Sequence, residues 1–472
     1  MTVPSLRACK AIRTKHEKNF IVNCSLFIVH CFVAQSAERP NILLILADDL
    51  GYGDLSCQGG KDIRTPNIDR ILNGGIRFTD FHANSTVSSP SRAALLTGRY
   101  PDMVGVPGVI RTHADDNWGH LRPDVPLLPA VLKTAGYTSA LIGKWHLGLE
   151  SPNTPVERGF DFFNGFLGDM MDNYYNHLRF DNNYMRRNQQ IIDTQGPHAT
   201  DLFTGWAVDY IKDQKGKREP FFLYLAYNAP HVPIQPPKEW EEKVKQREPD
   251  ISERRAKLVA LIEHLDNGIG QVLEALELNG MLDNTLILFT SDNGGDLGPG
   301  ANNGIYRNGK GSMYEGGIRV AGGMYWKNKI KAGTVTDNFA MLFDLFPTIC
   351  EAAGAIIPQP IDGISILPTL LGLEQITDDR TVFWVRREGG NFGGLAYYAA
   401  RQGGLKILQN TPWEPVQYFN LAADPIEQNP LDKTKDFPTV YNDLFRSQMK
   451  HIRLSGAVPW QKAESKDGRY DN

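Results

Sequence analysis

Residues Asn41–Ala47 (NILLILA) form an almost unbroken apolar run that stops abruptly at Asp48-Asp49. A strand that is apolar on both faces belongs inside a parallel sheet covered by helices, because a half-wet antiparallel strand alternates apolar and polar residues. The same texture recurs at Phe221–Ala226 (FFLYLA) and at 286–290, where the run ends in Ser291-Asp292-Asn293. Helical signals lie between these runs. Thr65-Pro66-Asn67 opens a helix that Gly74-Gly75 closes, and Ser89-Pro90-Ser91 opens the helix SRAALLT, which stops at Gly98. Residues 127–135 read as helix before a strand at 138–142, and 252–278 as a long amphipathic helix. A further strand is expected at 76–81 and a further helix at 337–353. This alternation predicts an α/β fold, a large, mostly parallel (mixed) sheet sandwiched between helices. After about residue 365 short β-rich pieces (381–385, 395–399, 405–409, 416–419) and a helix near 439–450 predict a smaller C-terminal α+β domain with an antiparallel sheet. The expected boundaries are 38–365 and 366–472, joined through the proline-containing stretch 356–368.

Residues 1–37 read differently. Arg7, Lys10, Arg13, Lys15 and Lys18 precede an apolar run from Phe20 to Ala34 and the small residues Ala34-Gln35-Ser36-Ala37. That is the pattern of a secretory signal peptide, which predicts a periplasmic or secreted protein. The run is too short and interrupted for a membrane span, which needs about 20 apolar residues. The whole chain carries 50 basic and 54 acidic residues; without the leader, 45 stand against 53, a net charge of −8. No basic excess exists to hold nucleic acid. Only Cys57 and Cys350 lie outside the leader, and they read as separate buried thiols rather than a zinc or disulfide framework.

In open α/β sheets the chemistry gathers beyond the carboxyl ends of the strands. There stand Asp48-Asp49 and Asp292-Asn293, four oxygen-bearing side chains of the kind a hard divalent cation takes. Lys144 and His146 follow the strand at 138–142, His231 follows Phe221–Ala226, Lys310 lies in a glycine-rich run, and Arg92 sits beside Ser88 in the first turn of a helix. Cations beside carboxylates and a metal suit a sulfate or phosphate ester, whose charge must be held during in-line attack.

The segment Ser88-Ser89-Pro90-Ser91-Arg92-Ala93-Ala94-Leu95-Leu96-Thr97-Gly98-Arg99 resembles the signature of the formylglycine-dependent type I sulfatases of the alkaline phosphatase superfamily. Its core is Cys or Ser, any residue, Pro, any residue, Arg. The stretch from Gly136-Tyr137 to Gly143-Lys144-Trp145-His146-Leu147-Gly148 resembles the second signature of that family. LADDLGYGD, NAPHVP, TSDNGG and GKGSMYEGGIRV follow the family pattern in order, so the resemblance spans roughly residues 40 to 320. It implies an alkaline-phosphatase-like fold and a Ca²⁺ site made by Asp48, Asp49, Asp292, Asn293 and the modified residue 88. It further implies that Ser88 is oxidised to formylglycine, whose hydrated aldehyde supplies one hydroxyl as nucleophile and a second to expel sulfate. By the same resemblance Arg92 orients that diol and Lys144 bridges it to the sulfate. His146 takes the proton of the second hydroxyl. His231 and Lys310 serve the leaving group, with His231 as proton donor.

Two positions depart from the family pattern. Residue 88 is Ser where Cys is commoner, which implies a radical-type formylglycine-generating maturase acting before export, or else an engineered replacement of Cys. Ala321 replaces the usual Pro after GGIRV. The segment 169–190 is dense in Asn, Tyr, Arg and Met and reads as a pocket-forming insertion; Trp118, His120, Arg386 and Arg387 add aromatic and cationic candidates for substrate binding. Such a mixture suits a sulfated polysaccharide or its oligosaccharides. An arylsulfatase, a phosphoesterase of the same superfamily and a non-catalytic sulfated-glycan binder stand as alternatives.

Overall fold

The computed structural model describes residues 39–113, 121–377, 379–432 and 438–460. The leader expected at 1–37, together with Trp118 and His120, lies outside the described residues. No helix among the described residues is long and apolar enough to cross a membrane.

Six elements position the site: β1 (Asn41–Ala47), α1 (Ser88–Thr97), β2 (Thr138–Lys144), β3 (Phe221–Ala226), α2 (Glu253–Leu278) and β4 (Thr285–Ser291). They belong to a ten-stranded sheet. Its order is Thr334–Thr336, Ile76–Phe78, Gly322–Tyr325, β4, β1, β3, β2, Phe162–Phe166, Met185–Arg187, Gln190–Ile191. The five strands from β4 to Phe162–Phe166 run parallel, while Gly322–Tyr325 and Met185–Arg187 join their neighbours antiparallel. The sheet is therefore parallel at its centre and mixed at its edges, as expected.

The continuous apolar runs are explained by two cores, one on each face. Ile42, Leu44 and Leu46 of β1 enter one core with Ala93, Leu95 and Leu96 of α1. Leu43, Ile45 and Ala47 enter the other with Val259, Ile262 and Leu265 of α2. Six of the seven β1 residues are fully buried. At about 1.5–3 kcal/mol for each large apolar side chain, this strand is a main stabiliser of the domain.

The second sheet is a four-stranded antiparallel meander of β5 (Thr381–Arg387), β6 (Ala396–Gln402), β7 (Leu405–Gln409) and β8 (Gln417–Asn420). One face packs on Ala94, Met341 and Phe343 through Val382, Trp384 and Phe419, and Trp384 Nε1 donates to Ala83 O at 2.7 Å. The other face receives Tyr441 and Leu444 of α3 (Val440–Gly456). The described residues from Pro40 onward cluster as one compact unit.

Three expectations are corrected. The helix expected at 337–353 begins only at Leu345; Ala340–Met341 is instead a short strand paired with Phe81–His82. Asp344 causes the break, because its carboxylate accepts from Met341 N and Ile364 N and pairs with Arg380. The strand expected at 76–81 divides between two pairings, Ile76–Phe78 in the large sheet and Phe81–His82 with Ala340–Met341 in a separate two-stranded one. Helix α1 begins at Ser88, earlier than its capping signal indicates. Helices Ala199–Asp213 and Lys238–Arg247 were not foreseen; the second buries only Val244, so its pattern carries little signal. Cys57 and Cys350 are free thiols, the former half-buried and the latter buried.

Candidate active site

Strand register assembles the site. Ala47 pairs with Ser291, Leu46 with Ala226, and Ala226 with Gly143, so the four central strands end in one row. Asp48-Asp49, Lys144, His231 and Asp292-Asn293 lie just beyond that row. Gly143 is required there: its φ is +108°, and a Cβ would stand 1.9 Å from Ala226 O. Asp49 and His146 adopt left-handed conformations, with φ of 67° and 60°. Such strain in non-glycine residues clusters at functional sites.

The side chains interlock around Asp48. Ser88 Oγ, in the first turn of α1, donates to Asp48 Oδ1 at 3.1 Å, and Lys144 Nζ donates to Asp48 Oδ2 at 2.5 Å. Arg92 grips Asp292 Oδ2 through Nε and Nη2 at 3.1 and 2.8 Å, and its Nη2 lies 3.4 Å from Asp48. On the far side Lys310 Nζ donates to Asp49 Oδ2 at 2.6 Å and to His231 Nε2 at 3.1 Å. Asn293 Nδ2 donates to Asp49 Oδ1 at 2.8 Å, and Asp49 N donates to Asp292 Oδ1. All the catalytic and metal-site residues expected from sequence, except His146, join this one network.

Arg92, Lys144, Asp48, Asp292 and Asn293 are completely buried. Burial pushes the Asp48 carboxyl up, but Lys144, with His231 and Arg92, outweighs it and holds Asp48 at about 2. Asp49 is lowered in the same way, its burial overcome by Lys310 and His231. Asp292 is raised, by burial and then by the charge of Asp48. Burial depresses Lys144, whereas for Lys310 the carboxylates of Asp49 and Asp48 win over burial and raise it. Three carboxylates thus face three cations, and a divalent cation added among them leaves positive charge for an anionic substrate.

The two histidines are oriented by backbone carbonyls. His146 Nε2 lies 2.9 Å from Ile110 O, so it carries the proton and Nδ1 is left as a basic atom, buried and unpartnered among the described residues. Burial, then Lys144 and Arg92, push His146 well below the usual histidine range, keeping it neutral. His231 Nδ1 donates to Val232 O at 2.7 Å, which leaves Nε2 to accept from Lys310. Asn293 Oδ1 is likewise buried with no hydrogen-bond partner among the described residues. An orphaned amide oxygen beside three converging carboxylates fits a hard, oxygen-coordinated cation, which Asp48, Asp49, Asp292 and Asn293 could hold.

Of the residues expected to touch substrate, Arg386 lies beside the site and Arg387 does not. Arg386 donates to Gly311 O at 3.1 Å, next to Lys310, and to Glu388 at 2.6 Å. Arg387 turns to α3, donating to Ile452 O and Ser455 Oγ. The segment 169–190 contains a tight hairpin, Leu178–Arg179 against Asn182–Asn183. Phe180 and Asp181 at its tip have φ of 50° and 60°. Asp169 ties Arg179 to Thr112, two residues from the carbonyl that orients His146. Phe180 is 43% exposed, under the Arg179 guanidinium at 3.9 Å and edge-on to His113 at 5.0 Å. Tyr174 was missed: its buried hydroxyl reaches Asn228 O and His231 O at 2.8 and 2.9 Å and so fixes the His231 loop. Nothing in DNYYNH distinguishes it from its neighbour Tyr175.

A mixed sheet with buried carboxylates and cations at its strand ends, facing a serine hydroxyl at a helix start, suits a hydrolase of anionic esters. The chain belongs to the sulfatase family, matching it over residues 40–355, and is a sulfuric ester hydrolase. It is 34% identical over 375 residues to the N-acetylgalactosamine-6-sulfatase of Canis lupus familiaris, covering 75% of this chain and 70% of that protein. It is 32% identical over 446 residues to human (Homo sapiens) arylsulfatase A, covering 89% and 84%. Among solved structures, Ps i-CgsB in complex with k-i-k-neocarrahexaose superposes with a TM-score of 0.80 at 34% identity, covering 88% of this chain and 93% of that one.

Proposed function

We propose that this chain is a calcium-dependent sulfatase that removes sulfate from a sulfated polysaccharide or its oligosaccharides, using formylglycine made from Ser88. The observation that carries the reading is Ser88 Oγ at the N-terminus of a ten-residue helix, 3.1 Å from the carboxylate that Lys144 and Arg92 also hold. Calcium in the Asp48, Asp49, Asp292 and Asn293 site would supply a positive centre for sulfate oxygens. Hydrated formylglycine would supply two hydroxyls where serine has one, so that sulfate can be expelled without hydrolysing a stable serine ester.

The chain's own groups then divide the work. Arg92, locked on Asp292, and Lys144, locked on Asp48, present fixed charge at residue 88 without reorganising. His146 accepts a proton at Nδ1, because Ile110 O holds its other nitrogen protonated. His231, once its Nε2 is protonated, donates that proton to the departing alcohol oxygen, and Lys310 Nζ, 3.1 Å from Nε2, holds the ring in place. Maturation requires a formylglycine-generating enzyme of the radical type acting before export. The leader pattern at 1–37 supports a periplasmic or secreted location.

A carbohydrate substrate is supported by the glycan names of two of the relatives described above and by the exposed Phe180–Arg179 platform tied to the His146 loop. Similar identity to arylsulfatase A favours small aryl esters as the second reading. Chelation of calcium should abolish sulfate release and re-addition restore it; an unchanged rate removes the metal assignment. Sulfated oligosaccharides should exceed para-nitrophenyl sulfate in kcat/KM, and the reverse order supports the aryl reading.

A further inference from the structure

The loop that carries Lys310 to Asp49 forms, with its other side, one wall of a polar cleft of about 340 Å³. Arg307, Asn308 and Ser312 line this wall, and Asn410 and Glu414 of the turn between β7 and β8, with Gln417 at the start of β8, line the opposite one. The two walls are braced against each other. Asn410 Oδ1 accepts from Met313 N at 2.6 Å, and Gln417 Oε1 accepts from the Tyr314 hydroxyl at 2.8 Å. With their oxygens engaged, both amides offer N–H donors, while Glu414 offers a carboxylate acceptor and Arg307 a cation. At the tip of the same turn stands Trp413, 84% exposed. Its backbone N–H donates to Thr411 Oγ1 at 3.2 Å, the Glu414 N–H shares that oxygen, and Gln409 Nε2 holds Glu414 O at 2.6 Å. The backbone of the turn is thus held, and it carries an indole into water next to Glu414 of the cleft, where the ring can serve as a stacking surface.

We propose that this cleft, with Trp413 as its stacking surface, is a saccharide-binding subsite for sugar units beyond the sulfated one, entered from the leaving-group side of the site. Hydroxyl-rich rings meet its amide donors and carboxylate, and an apolar ring face meets the indole. Chain continuity sets the direction. Asn308 and Gly311, which line the cleft, flank Lys310, whose Nζ holds His231. The inference rests on the carbohydrate reading above and extends it to substrates longer than one sugar.

The test compares k-i-k-neocarrahexaose and a chondroitin-6-sulfate hexasaccharide with para-nitrophenyl sulfate. In Trp413→Ala the ratio of kcat/KM for the preferred hexasaccharide to that for the aryl ester falls about tenfold, mostly through KM, and Trp413→Tyr recovers most of it. An unchanged ratio overturns the subsite. Calorimetric titration of the full chain reads the cleft apart from chemistry. Hexasaccharide binding that weakens in Trp413→Ala supports it even if no sulfate is released, an outcome that would sink the hydrolase reading alone. Cleavage of sulfated monosaccharides with equal hexasaccharide affinity in wild type and variant, or with none in either, overturns the subsite and leaves the hydrolase reading standing.

Discussion

Two buried clusters of charge lie in this protein, and they are wired in opposite ways. Under the C-terminal sheet, Glu315 is fully buried, and its two oxygens are taken by Lys406 at 2.8 Å, and by His82 and Arg319 at 2.9 and 2.8 Å. Lys406 also reaches Glu427 at 2.7 Å, and Arg401 grips Asp80 with two nitrogens at 2.9 and 2.6 Å. Although Asp80, His82 and Glu315 lie close enough together to share an ion, their carboxylate oxygens are already paired with cations. At the strand ends, by contrast, Asn293 Oδ1 and His146 Nδ1 are buried with no hydrogen-bond partner among the described residues, whereas His82 Nδ1, also without a hydrogen bond, faces the Asp80 carboxylate at 3.6 Å. Closed pairing fastens one sheet to the other; open acceptors mark the place where a ligand is to come.

Breaking each cluster should therefore injure different properties. His146→Gln keeps a side chain of similar reach but removes the basic nitrogen, and should lower kcat by about 10²–10⁴ with little change in Tm. A comparable fall in Tm would place His146 with the structural cluster instead. Lys406→Met strips Glu427 of its cation and Glu315 of one of its partners and should cost about 3–5 kcal/mol of stability, read by denaturant unfolding. The rate per folded molecule should hold. A loss of kcat without loss of stability would contradict the division.

Acid should weaken both clusters, since Asp48 and Asp49 are lowered too, and one variant isolates the structural share. Burial raises the Glu315 carboxyl, but Lys406, His82 and Arg319 outweigh it and hold it well below 4.5. Asp80 is lowered likewise, burial being overcome by Arg319 and Arg401. Carboxylates lowered in the folded state contribute stability that is present above their unfolded values and lost as pH falls toward the folded ones. Glu427, raised by burial, opposes them. Tm should accordingly decline as pH falls below about 4, and less steeply in Glu315→Gln. A flat Tm over that range refutes the assignment. The smallest effect is expected from Arg387→Ala, whose guanidinium serves α3: kcat/KM should stay within about twofold. A large loss would bring Arg387 back to the substrate.

What could be read from the sequence follows the same division. The site was legible because parallel strands end in register, so residues just after NILLILA, FFLYLA and LILFT had to meet. Lys406, Glu427, Arg401 and Tyr174 were not legible. They act through partners up to hundreds of residues away, and no local spacing marks a charge destined for burial. The helix expected at 337–353 failed for a related reason, since Asp344 finds Arg380 only in the folded chain.

The proposed chemistry turns on residue 88 working as an oxidised serine. Mass spectrometry of the peptide containing Ser88, taken from a preparation shown to release sulfate, tests it directly. The expected peptide is lighter by two hydrogens than the encoded one, in proportion to the active fraction. Full activity with unmodified serine at position 88 would contradict it.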